Sequence, residues 1–232
     1  MRGCRLTRAG KVEVQSAPKH PVPVFPLPSL VLFPHAMLPL HIFELRYRTM
    51  VRDALSAERM IAVVLLKPGW ERDYYGSPEF YELGCLARFD EVEWLPNDCY
   101  DLRVVGLSRV HIDRTVREYP YRAARLSVLP QEPYPEEDPL IQMEKRALLE
   151  TFERWRKAGE VESGREVPAV SESLVYETLV NAMCMVTEAS PLERLNLLEM
   201  DSGIERGRRV RELTEDRLKR RAHQLPGDGA HN

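Results

Sequence analysis

The chain has 232 residues, 44% of them hydrophobic and 30% charged, with a formal net charge of -3 and a pI near 6.1. That apolar content suffices for one large domain or two small ones, and the acidic balance argues against a protein that coats nucleic acid nonspecifically, which needs a basic surface. No run approaches the roughly 18 apolar residues of a membrane span. The N-terminal MRGCRLTRAGKVEVQ lacks the apolar segment of a secretory signal, so a cytoplasmic protein with no membrane partner is expected.

Residues 1–20 are polar and basic, with Arg2, Arg5, Arg8, Lys11 and Lys19 against Glu13, and read as a flexible tail. Ordered structure is expected from Val22. Between Pro21 and Leu55 lie Pro23, Pro26, Pro28, Pro34 and Pro39, each fixing a φ and removing a donor. This stretch cannot be one long strand or helix; it reads as short extended pieces with proline at strand starts and edges. From Glu44 the spacing of Tyr47, Val51, Ala54 and Leu55 becomes helical. Glu44 suits a helix N-terminus and could pair with Arg48 one turn on.

Met60 to Leu66, MIAVVLL, is short and continuously apolar, the pattern of a strand buried on both faces. The next loop is rich in aromatic residues: Trp70, Tyr74, Tyr75, Phe80 and Tyr81. From Leu83 the period is two through Cys85, Ala87 and Phe89, then slips by one to Val92 and Trp94, which places a bulge near Asp90 and Glu91. Pro96, Asn97 and Asp98 form a turn, Tyr100, Leu102 and Val104 the returning strand, and Gly106 a bulge or corner. Val110 and Ile112 continue the alternation, with a last strand at Ala124, Leu126 and Val128.

QEPYPEEDP is a proline-rich acidic connector. Beyond it Ile141, Leu148, Phe152 and Trp155 share a helical face, Lys157 to Pro168 reads as a polar loop, and Val175, Leu179, Ala182 and Val186 define another helix. Ser190-Pro191 with Glu193 matches a capping box, and Ser202 to Glu205 repeats it before a helix reaching about Arg221. The resulting division is a tail at 1–20, a strand-rich subdomain at 21–130, a connector at 131–139, a helical subdomain at 140–223 and a second tail at 224–232.

Catalytic patterns do not emerge. The chain has no phosphate-binding GxxxxGK[ST] loop, GxSxG elbow or HExxH helix. His41 and His111 have no recognisable acid-base setting, and Ser29, Ser56, Ser108 and Ser190 suit turns and caps. The four cysteines, Cys4, Cys85, Cys99 and Cys184, lack zinc spacing; Cys85 and Cys99 could meet across a hairpin, but free thiols fit a cytosolic setting. No enzyme activity, cofactor or metal is expected.

The block VPVFPLPSLVLFPHAMLPLHIFELRYRTMVRDAL, with GCLARF, YDLRVVGLSRVHI, YPYRAARL and SPLERLNLLEMDSGIERGRRVRELTEDRL, resembles the N-terminal substrate-binding domain of Lon proteases in free-standing form. The resemblance spans about Pro21 to Leu218. It implies an α+β fold: a bent, PUA-like β-barrel with one early helix, followed by a C-terminal helical bundle, and a role in recognising unfolded or tagged proteins without ATPase or peptidase modules. Phe33, Pro34, Leu38, Pro39, Leu40, Ile42, Phe43, Glu44, Arg46, Tyr47 and Arg48 carry its signature and are read as mainly structural. Three positions depart from the family: His35 where glycine is frequent, Leu45 in place of a proline, and Asn97-Asp98 where a glycine turn is common.

The expected function is a noncatalytic protein- or peptide-binding module, with Trp70, Tyr74, Tyr75 and Trp94 as candidate contacts. The same rings could instead cap the barrel ends. Expected partners are unfolded or tagged proteins, or a protease or chaperone acting in trans; nucleic acid is disfavoured and the oligomeric state is left open. The alternative is an RNA-binding PUA-like protein using Arg206, Arg208, Arg209, Arg211, Arg217, Lys219, Arg220 and Arg221, although interleaved acids make these read as a solvated helix face.

Overall fold

The structure is a computed structural model that describes residues 17–132, 135–163, 170–171 and 173–224. Most of both expected tails, Cys4, and Gly164 to Pro168 of the expected polar loop lie outside those residues.

Six strands come first: β1 (Val22–Leu27), β2 (Met37–Ile42), β3 (Met60–Leu66), β4 (Phe80–Trp94), β5 (Tyr100–Arg117) and β6 (Ala123–Val128), with α1 (Leu45–Leu55) between β2 and β3. They form one mixed sheet in the order β2-β5-β4-β3-β1-β6, and β6 also pairs with β5. The pairings therefore return on themselves through β5, β4, β3, β1 and β6. The long β5 serves both neighbours on one side, giving Tyr100–Val105 to β2 and Val110–Arg117 to β6. β2 has a single partner, the edge setting in which a strand tolerates Pro39.

Burial explains the pattern of β3. Ala62 and Val64 meet Val22, Val24, Leu86, Val110, Ile112, Ala124 and Leu126, a cluster drawn from all five strands of the ring. Ile61, Val63 and Leu65 point the other way, into a larger cluster shared with α1 and the C-terminal helices. With both faces covered, polar alternation is lost. The Tyr47, Met50, Val51 and Ala54 stripe of α1 packs into the larger cluster.

The bulge expected near Asp90 is present as a register shift between Phe89 and Glu91. A second shift lets Leu86 face Ser108 and Ala87 face Gly106. Gly106 needs its missing side chain, because a Cβ there would lie 2.2 Å from the Phe33 carbonyl oxygen. That carbonyl belongs to a tight turn, closed by the Ala36 amide at 3.2 Å, in which His35 has φ of 64°. Asp98, in the β4–β5 turn, also has a positive φ of 57°. Two of the three departures from the family pattern thus occupy left-handed positions that glycine takes without strain.

Four helices follow: α2 (Pro139–Ser163), α3 (Tyr176–Val186), α4 (Pro191–Glu199) and α5 (Gly203–Gln224). The polar loop expected from Lys157 is corrected here, since α2 continues to Ser163. A Cβ at Gly159 would meet nothing within 4 Å, so the glycine sits on an open helix face and costs only its propensity, about 1 kcal/mol. The capping box at Ser190 is complete: its hydroxyl accepts from the Glu193 amide, and the Glu193 carboxylate accepts from the Ser190 amide. At α5 the Ser202 hydroxyl accepts from the Glu205 amide at 3.4 Å.

One buried arginine joins the strand and helix halves, and a second ties the helices together. Arg109 on β5 is 1% exposed and donates to the carbonyls of Pro130, Leu198, Glu199 and Met200 and to Asp201. Arg206 on α5 is fully buried and donates to the carbonyls of Leu197 and Met200 and to Asn181. Two guanidiniums thereby satisfy four consecutive carbonyls at the end of α4, groups that a helix leaves without partners of its own.

Candidate binding surface

The signature segment His41–Arg48 forms the corner between β2 and α1, and its charged side chains reach outward to two distant segments. Arg46 donates through Nε to Glu44 at 3.0 Å, through Nη2 to the Tyr74 carbonyl at 2.9 Å and through Nη1 to the Gly76 carbonyl at 3.4 Å. Its guanidinium also lies over the rings of Tyr47 and Tyr74, 4.7 and 5.4 Å from their centroids. Tyr74 donates its hydroxyl to Glu44 at 2.7 Å. Burial pushes the Tyr74 phenol up to about 12, and the Glu44 carboxylate adds to the shift. The expected pairing of Glu44 with Arg48 is replaced by this contact with Arg46 and Tyr74.

Arg48 turns instead to the β4–β5 hairpin, pairing with Asp98 at 3.2 Å and donating to the Asn97 carbonyl at 3.4 Å; Arg52 adds a longer pairing with Asp98. Asp98 in turn accepts from the Trp94 indole at 3.2 Å. Two helical residues apart means about 200° around the axis, so Arg46 and Arg48 hold their segments on opposite flanks of α1. The four aromatic candidates accordingly form two groups. Trp70, Tyr74 and Tyr75 stack edge to face, with centroids 5.5 and 5.1 Å apart, on one flank; Trp94 stands on the other.

Within the loop group, Trp70 and Tyr74 are half-buried, while Tyr75 is 87% exposed. Trp94 is 71% exposed. Between the flanks, on the side of α1 opposite its buried stripe, Leu45 is 66% exposed, and Phe43 just before it is 62% exposed. Phe43, read as structural from the sequence, therefore lies on the surface, and Leu45 was not among the sequence candidates at all. Phe33, Pro34, Leu38, Ile42 and Tyr47 are buried. Pro39 is exposed and Leu40 half-buried on β2.

The remaining candidates separate clearly. His41 pairs with Asp101 at 2.6 Å, and His111 with Asp113 and Glu82, each on an exposed strand face with its own carboxylates. Among the described residues no group of three or more His, Cys, Asp or Glu side chains could hold a metal ion, and no helix is long and apolar enough to cross a membrane. Cys85 and Cys184 are buried free thiols, pushed up to about 12 by burial and thus unreactive. Of the arginines proposed for RNA, Arg206 is corrected to an interior position. Arg208 and Arg211 pair with the buried Glu144, Arg209 with Glu212, Arg217 with Glu193, and Arg221 with Glu188.

Residues 21–216 match the family model described as the ATP-dependent protease La (LON) substrate-binding domain. Lon protease of Anaeromyxobacter dehalogenans is 27% identical over 194 residues, which is 84% of this chain and 21% of that protein. Lon protease 2 of Herpetosiphon aurantiacus is 28% identical over 203 residues, covering 85% of this chain and 24% of the relative. The chain thus spans about a fifth to a quarter of the length of these relatives. In fold it is similar to the N-terminal domain of Mycobacterium avium complex Lon protease, with a TM-score of 0.62 at 17% identity, covering 85% of this chain and 99% of that one. The Lon N-terminal domain protein from Xanthomonas campestris gives a TM-score of 0.57 at 21% identity, with 89% and 99% covered.

Proposed function

The chain belongs to the Lon substrate-binding domain family, and from that premise we propose that it is a noncatalytic, cytoplasmic module that binds exposed apolar segments of protein clients. The strand half, residues 21–130, carries the contact surface, and the helical half, residues 140–223, supports it. Clients are unfolded or tagged proteins, held for a protease or chaperone acting in trans; the module itself neither hydrolyses ATP nor cleaves peptides.

One observation carries this reading. Phe43, Leu45, Tyr75 and Trp94 are large apolar side chains left exposed around one end of α1, in a protein that buries its other apolar stripe on that helix completely. Exposed apolar groups gathered in one place mark contact sites more often than single ones do. Covering one such side chain contributes about 1.5–3 kcal/mol, so two or three suffice for weak, reversible capture of a client.

The test is a titration of the full chain with a reduced, carboxymethylated protein that cannot refold, read by fluorescence anisotropy. Tyr75→Ala and Trp94→Ala should each weaken binding about 10-fold, and the double variant should abolish it. Unaltered affinity in the double variant, or no affinity in the wild type, removes the proposal.

A further inference from the structure

Glu44 is the residue at which α1 begins, yet its carboxylate makes no capping bond to the helix. The side chain, mostly shielded, is directed away from the helix amides to Tyr74 and Arg46. Arg46 is similarly occupied: one guanidinium holds Glu44, two loop carbonyls and two aromatic faces. Residues 44 and 46 thus grip a segment 28 to 30 positions later. What the grip fixes is the loop on either side of Tyr75. The carbonyls of Tyr74 and Gly76 are both taken by Arg46, while Tyr75 itself is left exposed and packs edge-on against Tyr74.

We infer that Glu44, Arg46 and Tyr74 are positioning residues of the client-binding surface, holding the 74–76 backbone so that Tyr75 is presented to solvent on the flank of α1 that Arg46 faces. This rests on the function proposed above. The physical gain is preorganisation: a side chain already fixed in its bound orientation loses less conformational entropy when a client closes over it. Tyr74 and Glu44 would not touch the client. Their effect reaches it through Tyr75, which separates positioning from a general contribution to the fold.

The experiment uses the full chain, the carboxymethylated protein as probe, and the variants Tyr74→Phe, Glu44→Gln, Tyr75→Ala and Tyr75→Ala/Tyr74→Phe. Tyr74→Phe removes one hydroxyl and keeps the ring that packs on Trp70, so it should fold; Glu44→Gln keeps an acceptor oxygen but removes the negative charge that strengthens the bonds from Tyr74 and Arg46. Each should weaken binding about 3- to 10-fold, mainly through faster dissociation. The Gly76 amide, bonded to the Asp73 carbonyl at 2.9 Å, should exchange with solvent faster in both variants than in the wild type. On the Tyr75→Ala background, Tyr74→Phe should change affinity by less than about 2-fold, the non-additivity of residues acting through one group. Wild-type affinity in the single variants, unaltered exchange at Gly76, or a full penalty persisting without Tyr75 would each overturn the inference. Failure of the wild type to bind the probe would instead remove the functional reading on which it rests.

Discussion

Arginine is used in two opposite ways in two regions of this molecule. At the corner between α4 and α5, Arg109 and Arg206 are interior groups whose guanidiniums end on backbone carbonyls of α4. At the start of α1, Arg46 and Arg48 sit at the rim and end on loops: 74–76 on one flank, 97–98 on the other. The donor chemistry is the same, but the consequence of removal is not. An interior guanidinium leaves several buried carbonyls without partners, each costing its desolvation. A rim guanidinium leaves groups that water can reach, so its loss frees a loop without unfolding the domain.

The largest expected effect tests the interior end of that comparison. Arg109→Leu removes the donor to the Pro130, Leu198 and Glu199 carbonyls and to the exposed Asp201, while Met200 keeps Arg206, and should cost about 3–5 kcal/mol, since each buried carbonyl left without a partner costs about 1–3 kcal/mol. Arg109→Lys should recover little, because an ammonium cannot reproduce the planar fork. Urea unfolding measures both; a loss under about 1 kcal/mol would show that water satisfies the corner after all. A second substitution tests how tightly the same half is packed. At Gly207 an added Cβ would lie 2.1 Å from the hydroxyl of the fully buried Tyr176, so Gly207→Ala should lose about 1–3 kcal/mol by overpacking. Adding Tyr176→Phe removes the clashing oxygen and should return part of that loss, whereas equal stability of single and double variants would place the strain elsewhere.

The capping box of α4 lies between the two extremes, at the edge of the helical half. Ser190→Ala should cost about 1 kcal/mol. Its pH dependence has a definite sign. The Ser190 backbone amide, and then its side chain, lower the pKa of the Glu193 carboxyl below its usual value. A depressed folded-state pKa means the contribution is present above the unfolded carboxyl's titration and is lost as pH falls through the folded one. Stability of the wild type should therefore fall more steeply below pH about 4.5 than that of Glu193→Gln; parallel curves would sink the assignment.

How much of this the sequence disclosed follows from the range of the interactions. β3, the hairpin bulge and the α4 start were legible because apolar runs, period two and Ser-Pro-x-Glu act over a few residues. The end of α2 was not, since Gly159 and its charged neighbours look like a loop unless their open helix face is known. Arg206 reads as part of a solvated helix face and Arg109 carries no signal, because nothing nearby in sequence announces carbonyls 9 and some 90 positions away. Trp70, Tyr74, Tyr75 and Trp94 could be named from their aromatic context. Phe43 and Leu45 could not be placed outside, because Phe43 lies in the junction between β2 and α1, where no period applies, and the exposure of Leu45 depends on the phase of α1 against the sheet. The partners that hold the aromatic groups, Arg46 for the loop and Arg48 for the hairpin, likewise emerge only when segments distant in sequence meet.

The smallest expected effect probes the rim. Asp98 combines a left-handed φ of 57° with pairings to Arg48 and Arg52 and a bond from the Trp94 indole. Asp98→Gly removes all three contacts but relieves the backbone, and exposed ion pairs contribute about 0–1 kcal/mol. The two effects oppose each other, so the net change in stability should stay within about 0.5 kcal/mol. The Trp94 side chain should nonetheless lose its anchor. The fluorescence difference between Asp98→Gly and wild type should then vanish when both carry Trp94→Phe, which isolates that indole from Trp70 and Trp155. A loss of 2 kcal/mol or more would mean that Asp98 is structural in the manner of Arg109. The distinction between an interior that holds the fold and a rim that presents side chains would then fail at the residue chosen to expose it.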